Sequence, residues 1–345
     1  MRGRDAHRKP APSPQPLSPE YRGEGLTGQT LSERPPDMVP HHARITAENF
    51  YIPSDFNDLQ RTLDSSAQIG GVRLELLTAG DGARLGSCYQ QVPVRVLPPF
   101  HFPGEPAALL YLLNPTAGLM DGDGHRLDIH ARAGVRAVVT GQSATRIHPA
   151  LRSFATQQWH IRVEEDAQLV ILPGPAIPFR GCRYYQRVRI DLAARAHLIW
   201  GDIWLPGRYA RGALSEFHQF ERIVQDLEVR REGNAIYRER FSWCGPWDEE
   251  MVRWHLGDRQ ASGSLFATGS LSESLPVLEV DRAILPLASG DTCVRWCGCP
   301  AEIIREVVRT ALRHSARQAE MPSDRPWLLG SHHFAPNHWF SSPPT

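Results

Sequence analysis

Arg126-Leu127-Asp128-Ile129-His130, His160-Ile161-Arg162-Val163 and Gln186-Arg187-Val188-Arg189-Ile190-Asp191-Leu192 alternate polar with apolar residues. Side chains on a pleated strand point to opposite faces in turn, so each stretch reads as a half-buried β-strand. Each lies nine residues before the centre of an apolar triplet: Ile129 before Ala137-Val138-Val139, Ile161 before Leu169-Val170-Ile171, Ile190 before Leu198-Ile199-Trp200. A small residue (Gly134, Ala167, Ala196) turns the chain between strand and triplet. A punctuated loop follows each triplet: Gly141-Gln142-Ser143, Pro173-Gly174-Pro175, and Gly201 through Pro206-Gly207. The unit recurs after 32 and then 29 residues, and a β repeat of about 30 residues predicts stacked layers. A plain meander of hairpins gives a looser version of the same spacing.

Outward from this repeat, the period-two pattern begins near Val72, with Leu74, Leu76 and Leu85. It continues through Phe220–Val229 and Ala235–Phe241, joined by the turn Arg231-Glu232-Gly233-Asn234. Short strand candidates follow at Leu265–Ala267, Ala283–Leu285 and Val294–Trp296. Pro300 then opens a helix whose face carries Ile303, Ile304, Val307, Val308, Ala311 and Leu312. The expected organisation is therefore mainly β. Residues 1–65 form a disordered Pro-rich segment, 66–245 a body of stacked or helical β layers, 246–319 a small mixed α/β segment with a helix at about 300–315, and 320–345 a flexible tail. Residues 16–25 look like translated non-coding sequence, which makes Met38 an alternative start.

The 38 basic and 38 acidic residues cancel, so the chain lacks the basic excess expected of a nucleic-acid or anionic-membrane surface. Lys9 is the only lysine, which removes Schiff-base chemistry, a pyridoxal anchor and the lysine of a phosphate loop. The N-terminus has no apolar signal core, and no run approaches a membrane span. Together with cysteines read as free thiols, this predicts a cytoplasmic protein.

Cys293, Cys297 and Cys299 form C-x3-C-x-C without the second knuckle a zinc site uses, and read as packed or incidental thiols. The histidine pair His41-His42, the pair His332-His333 and His338 lie on expected tails. Asp121-Gly122-Asp123-Gly124 lacks the closing glutamate of a calcium loop, since Arg132 stands in that place, and reads as a tight turn.

The run Leu110-Tyr111-Leu112-Leu113-Asn114-Pro115-Thr116-Ala117-Gly118-Leu119-Met120-Asp121-Gly122-Asp123 resembles the Y-L-L-x-P-x-G-G-[LIV]-x-x-G-D signature of the urease accessory protein UreD family, also called UreH. Four further matches follow in order. These are Ala137–Thr140 with Ala144-Thr145-Arg146, Leu172-Pro173 with Ile177-Pro178-Phe179, Trp200-Gly201-Asp202 with Gly207-Arg208 and Gly212, and Glu239-Arg240-Phe241. The resemblance covers residues 72–245, about half the chain. It departs from the family at Ala117, at Gly174-Pro175 and at Ala213, the last two standing where acidic residues often occur.

The resemblance implies a non-enzymatic scaffold with a helically stacked β fold. Such a scaffold binds apo-urease and a helical UreF-like protein, which recruits a UreG-like GTPase, and nickel travels through it to the urease active site. By motif position the polar wall of that route includes Asp123, Thr145, Asp202 and Glu239. Ni²⁺ is then in transit rather than a tightly bound cofactor, and scattered oxygen donors release it more readily than a thiolate cage. Asp123 and Asp202 have a plainer use as turn-fixing carboxylates. Two other classes compete. A carbohydrate-active enzyme on a β-helix needs a surface groove with paired carboxylates. A β interaction module without a metal role needs a closed, unlined interior.

Overall fold

In the computed structural model, which describes residues 42–57, 67–80, 82–102, 107–209, 216–271 and 280–318, the repeat is realised as stacked coils. Each coil gives one strand to either of two facing sheets. The strands predicted from alternation, β5 (Gly124–Ala131), β8 (Ala155–Val163) and β11 (Arg183–Leu192), lie parallel and adjacent, followed by β13 (Arg222–Arg231). Ile129 pairs with Ile161, Ile161 with Ile190, and Ile190 with Val229. The apolar triplets form β6 (Arg136–Gly141), β9 (Gln168–Leu172) and β12 (His197–Trp204) in the other sheet, with Val138, Val170 and Ile199 in one row. Equal spacing in sequence has become equal height in the stack.

The seven-stranded sheet is completed by β1 (Ile69–Ala79) and β2 (Gly82–Gln91) at one end and β14 (Asn234–Cys244) at the other. The larger sheet continues past β6 to β4 (Ala108–Leu113) and β3 (Arg95–Val96). Two short strands, β7 (Thr145–Ile147) and β10 (Pro175–Pro178), line the turns between the sheets. The main core fills the space between the sheets. Leu127, Ile129, Trp159, Ile161, Val188, Ile190, Leu227 and Val229 meet Leu110, Val139, Ile171, Leu198 and Trp200, all buried.

The predicted break at residue 245 is not a structural boundary. After the short helix α1 (Glu249–Leu256), β15 (Ala261–Ala267), β16 (Asp281–Pro286) and β17 (Thr292–Gly298) extend the larger sheet beyond β12 as antiparallel strands. The helix α2 (Pro300–Gln318) then packs Ile303, Val307 and Ala311 on the outer face of that sheet. An apolar face has to be buried against another layer. Here the layer is the β body itself, so the C-terminal segment belongs to it.

The expectation of disorder through residue 65 also needs correction. Residues 42–57 lie across the outer face of the seven-stranded sheet, with Ile45, Phe50 and Phe56 buried. This explains why Arg73, Arg126 and Gln158, on the polar side of the alternation, are buried too. The remainder of the predicted N-terminal segment and the predicted tail 320–345 lie outside the described residues. No helix among the described residues is long and apolar enough to cross a membrane.

Candidate functional site

Four residues before Ile129, Ile161, Ile190 and Val229 stand His125, Gln157, Gln186 and Gln225. Four residues is an even step on a strand, so all four side chains share the inward face with those apolar residues. Strand register places them side by side: His125 beside Gln157, Gln157 beside Gln186, Gln186 beside Gln225. The interior therefore contains a polar row running along the stack through an otherwise apolar core.

Asp202 faces this row from β12. It accepts hydrogen bonds from Gln186 Nε2 at 2.7 Å, Gln225 Nε2 at 2.9 Å and Trp200 Nε1. Trp204 Nε1 donates to Gln225 Oε1 at 3.1 Å, and Tyr184 Oη to Gln186 Oε1 at 3.4 Å. Among the described residues no cationic side chain pairs with Asp202. Burial raises its carboxyl to about 6, against the lowering effect of Trp200 and Gln186, and the charge of Glu239 adds to the rise. A buried carboxylate held only by neutral donors retains attraction for a cation.

Glu239 closes the end of the same inter-sheet space. Its carboxylate pairs with Arg295 of β17 at 2.7 Å and accepts from Tyr237 Oη at 2.8 Å. The pair spans the two sheets between β14 and β17. Thr145 lies near the opposite end of the row, on the wall of a cavity of about 70 Å³ whose walls also carry Asn114, Ser143, His125, Gln157 and Trp159. Trp159 Nε1 donates to Gln157 Oε1 at 3.2 Å. Among the described residues the Nε2 of buried His125 has no hydrogen-bond partner, and burial lowers its pKa to about 4, so the ring is neutral.

Asp123 is placed differently. It accepts from the backbone N–H of Gln68 at 2.7 Å and of Met120 at 2.8 Å, and so holds the turn that leads into β5. Asp121 caps the N–H groups of Leu151, Arg152 and Ser153. The predicted turn role of this stretch is what the geometry shows. Of the four candidate residues, the fold thus brings Asp202 and Glu239 into one inter-sheet space with Thr145 toward its other end, and leaves Asp123 out of the cavity wall. His125 and the three glutamines were missed, although a polar residue at a constant offset from each repeat marked them.

The carboxylates Asp202 and Glu239 are enclosed between sheets, whereas a carbohydrate-cleaving site needs them in an open groove. Cys293 and Cys297 lie on one strand, four residues or about 13 Å apart, too far to share one ion. All six cysteines are free, and the described residues contain no cluster of three or more histidine, cysteine or acidic residues able to hold a metal.

Residues 68–328 match the family model described as UreD urease accessory protein. The chain belongs to the UreD family. It is 38% identical over 213 residues to the urease accessory protein UreD 2 of Synechococcus sp. (strain JA-3-3Ab), a match spanning 59% of this chain and 76% of the relative. It is 37% identical over 250 residues to the UreD of Natronomonas pharaonis, spanning 66% and 82%. It is 27% identical over 240 residues to the UreH of Helicobacter acinonychis, spanning 66% and 88%. The match to the UreD of Opitutus terrae spans 49% of that relative. The UreD region contains the whole polar row with Asp202, and Glu239 with Arg295, whereas residues 42–57 precede it.

Proposed function

We propose that this chain is a non-catalytic scaffold of urease maturation. With a UreF-like helical protein and a UreG-like GTPase it docks on apo-urease and assists nickel insertion, with Ni²⁺ passing through rather than residing. Family membership supports the maturation role. The observation that carries the metal role is the interior polar row ending on Asp202, a buried carboxylate held by neutral donors. Amide oxygens and one carboxylate, without a thiolate or a three-residue cluster, are donors weak enough to release a borderline divalent cation. The predicted wall is accordingly narrowed to Asp202, with Glu239 at one end of the space and Thr145 toward the other. Asp123 acts through the turn it holds.

Asp202→Ala should lower urease activation about tenfold in cells co-expressing the accessory proteins, in the range seen when groups supporting a metal are removed. Glu239→Ala should reduce it less, since its carboxylate is already paired with Arg295. The measurements are nickel content and activity of the purified urease, with pull-down of the accessory complex as the control for folding and docking. Normal activation by both carboxylate variants, alongside failure of Cys293→Ser, Cys297→Ser or Cys299→Ser, would move the metal role to the thiols.

A further inference from the structure

Residues 42–57 form a strap that follows one cross-strand row on the outer face of the seven-stranded sheet. The row runs Gln91, Gly71, Arg126, Gln158, Arg187, Asp226, Arg240. Gln91 takes both main-chain groups of Ile45: its Oε1 accepts from the N–H and its Nε2 donates to the carbonyl, each at 2.9 Å. Gln158 does the same to Tyr51, at 3.0 and 2.7 Å. Arg126 donates to the carbonyl of Asn49 at 2.6 Å, Arg73 to that of Ala43, and Arg222 to that of Asp55. The Arg187 guanidinium lies 4.0 Å over the Tyr51 ring, and Arg240 pairs with the Asp55 carboxylate.

Three features follow from these contacts. The sheet reads the strap mostly through its main chain, which is how an extended peptide of varied sequence can be held. Five guanidinium groups (Arg73, Arg126, Arg187, Arg222, Arg240) face the strap. Among the described residues, Asp128 pairs with Arg73 and Arg126, and Asp226 with Arg240. The strap's own hold is local: only Ile45, Phe50, Pro53 and Phe56 are buried, while Tyr51 and Ile52 are more than a third exposed. Segments with few buried apolar contacts open at a fraction of the global unfolding free energy.

We propose that this row is a peptide-docking groove filled in cis by residues 42–57, and that its competing ligand is an extended acidic segment of a partner protein. Arginines that now hold the strap's carbonyls and its one paired carboxylate, Asp55, would gain charge-assisted bonds from a Glu- or Asp-rich strand. The strap sets the threshold for that exchange. The groove lies on the outer face, away from the interior row, so the idea is independent of the metal reading.

The test uses the full chain. Phe56→Ala combined with Asp55→Ala removes the strap's apolar plug and its ion pair and leaves the groove intact. Asp55→Ala alone serves if the double variant fails to fold, since Phe56 stacks on Phe154 at 4.4 Å. Hydrogen exchange should show residues 42–57 losing protection in the variant while β5, β8 and β11 keep theirs. A fluorescent twelve-residue Glu-rich peptide should bind the variant at least tenfold more tightly than the parent chain. Added salt should weaken that binding, as should Arg126→Ala in the variant background, and a Ser-rich peptide should not bind. Equal peptide affinity of parent and variant would overturn the proposal. So would strap amides that exchange only with global unfolding of the sheets.

Discussion

Trp200→Ala is expected to destabilise the protein by about 3–5 kcal/mol, the range for truncating a fully buried tryptophan, and to lower Tm by roughly 10 °C. Trp200 is 0% exposed and sits between the sheets, edge-on to Trp159 with ring centroids 5.3 Å apart. The substitution opens a cavity where both sheets meet and also removes one of the three donors to Asp202. The neighbouring coils are fixed by parallel pairing, so the site has little freedom to collapse around the void. Guanidinium unfolding of the two proteins provides the check. A loss below about 1 kcal/mol would show that the inter-sheet core is not close-packed at this point.

Acid should weaken the fold through His125, and Asp202 should oppose it. The pKa of His125 is lowered by burial from 6.5 to about 4. The folded state therefore holds the ring neutral where the unfolded chain protonates it. Its contribution is fully present above pH 6.5 and is lost as pH falls toward 4, an effect of about 3 kcal/mol. His218, buried under Trp247, is lowered to about 4 as well and acts in the same direction. Asp202 is raised to about 6. Its buried charge disfavours the folded state above that pH. Between about 6 and 4 the folded state binds a proton that the unfolded chain does not, so this group adds stability as pH falls, again about 3 kcal/mol.

The two groups are separated by substitution. His125→Gln should be relatively more stable at pH 5 than at pH 7.5, compared with the parent. Asp202→Asn should do the opposite and steepen the acid loss. Denaturant unfolding at pH 7.5, 6 and 5 measures both. Stability curves of the two variants that run parallel to the parent's would show that neither group titrates in the folded state as its burial demands.

The layered β fold was legible because the repeat is built from local alternation and constant spacing. An isoleucine every 29 or 32 residues with an apolar triplet nine residues on leaves few ways to bury both except one coil above another. The C-terminal helix was legible for the same reason, its apolar face declared by a single period. The family signatures run through the strands of those coils as well as the turns that follow them, and so could be recognised in order.

Tertiary structure alone decided the rest, because each remaining feature depends on partners far apart in sequence. Asp202 and Glu239 are both acidic residues after apolar runs, yet one is held by neutral donors and the other by Arg295, 56 positions along the chain. Asp123 has the motif position of a wall residue but spends both oxygens on backbone N–H groups. Residues 42–57 carry no periodicity, since their order comes from side chains of the sheet that grip their main chain, a contact no local pattern in the strap encodes. The row His125, Gln157, Gln186 and Gln225 stands between these cases. Its spacing was written in the sequence, but only the parallel register of four strands turned four scattered polar residues into one continuous interior surface.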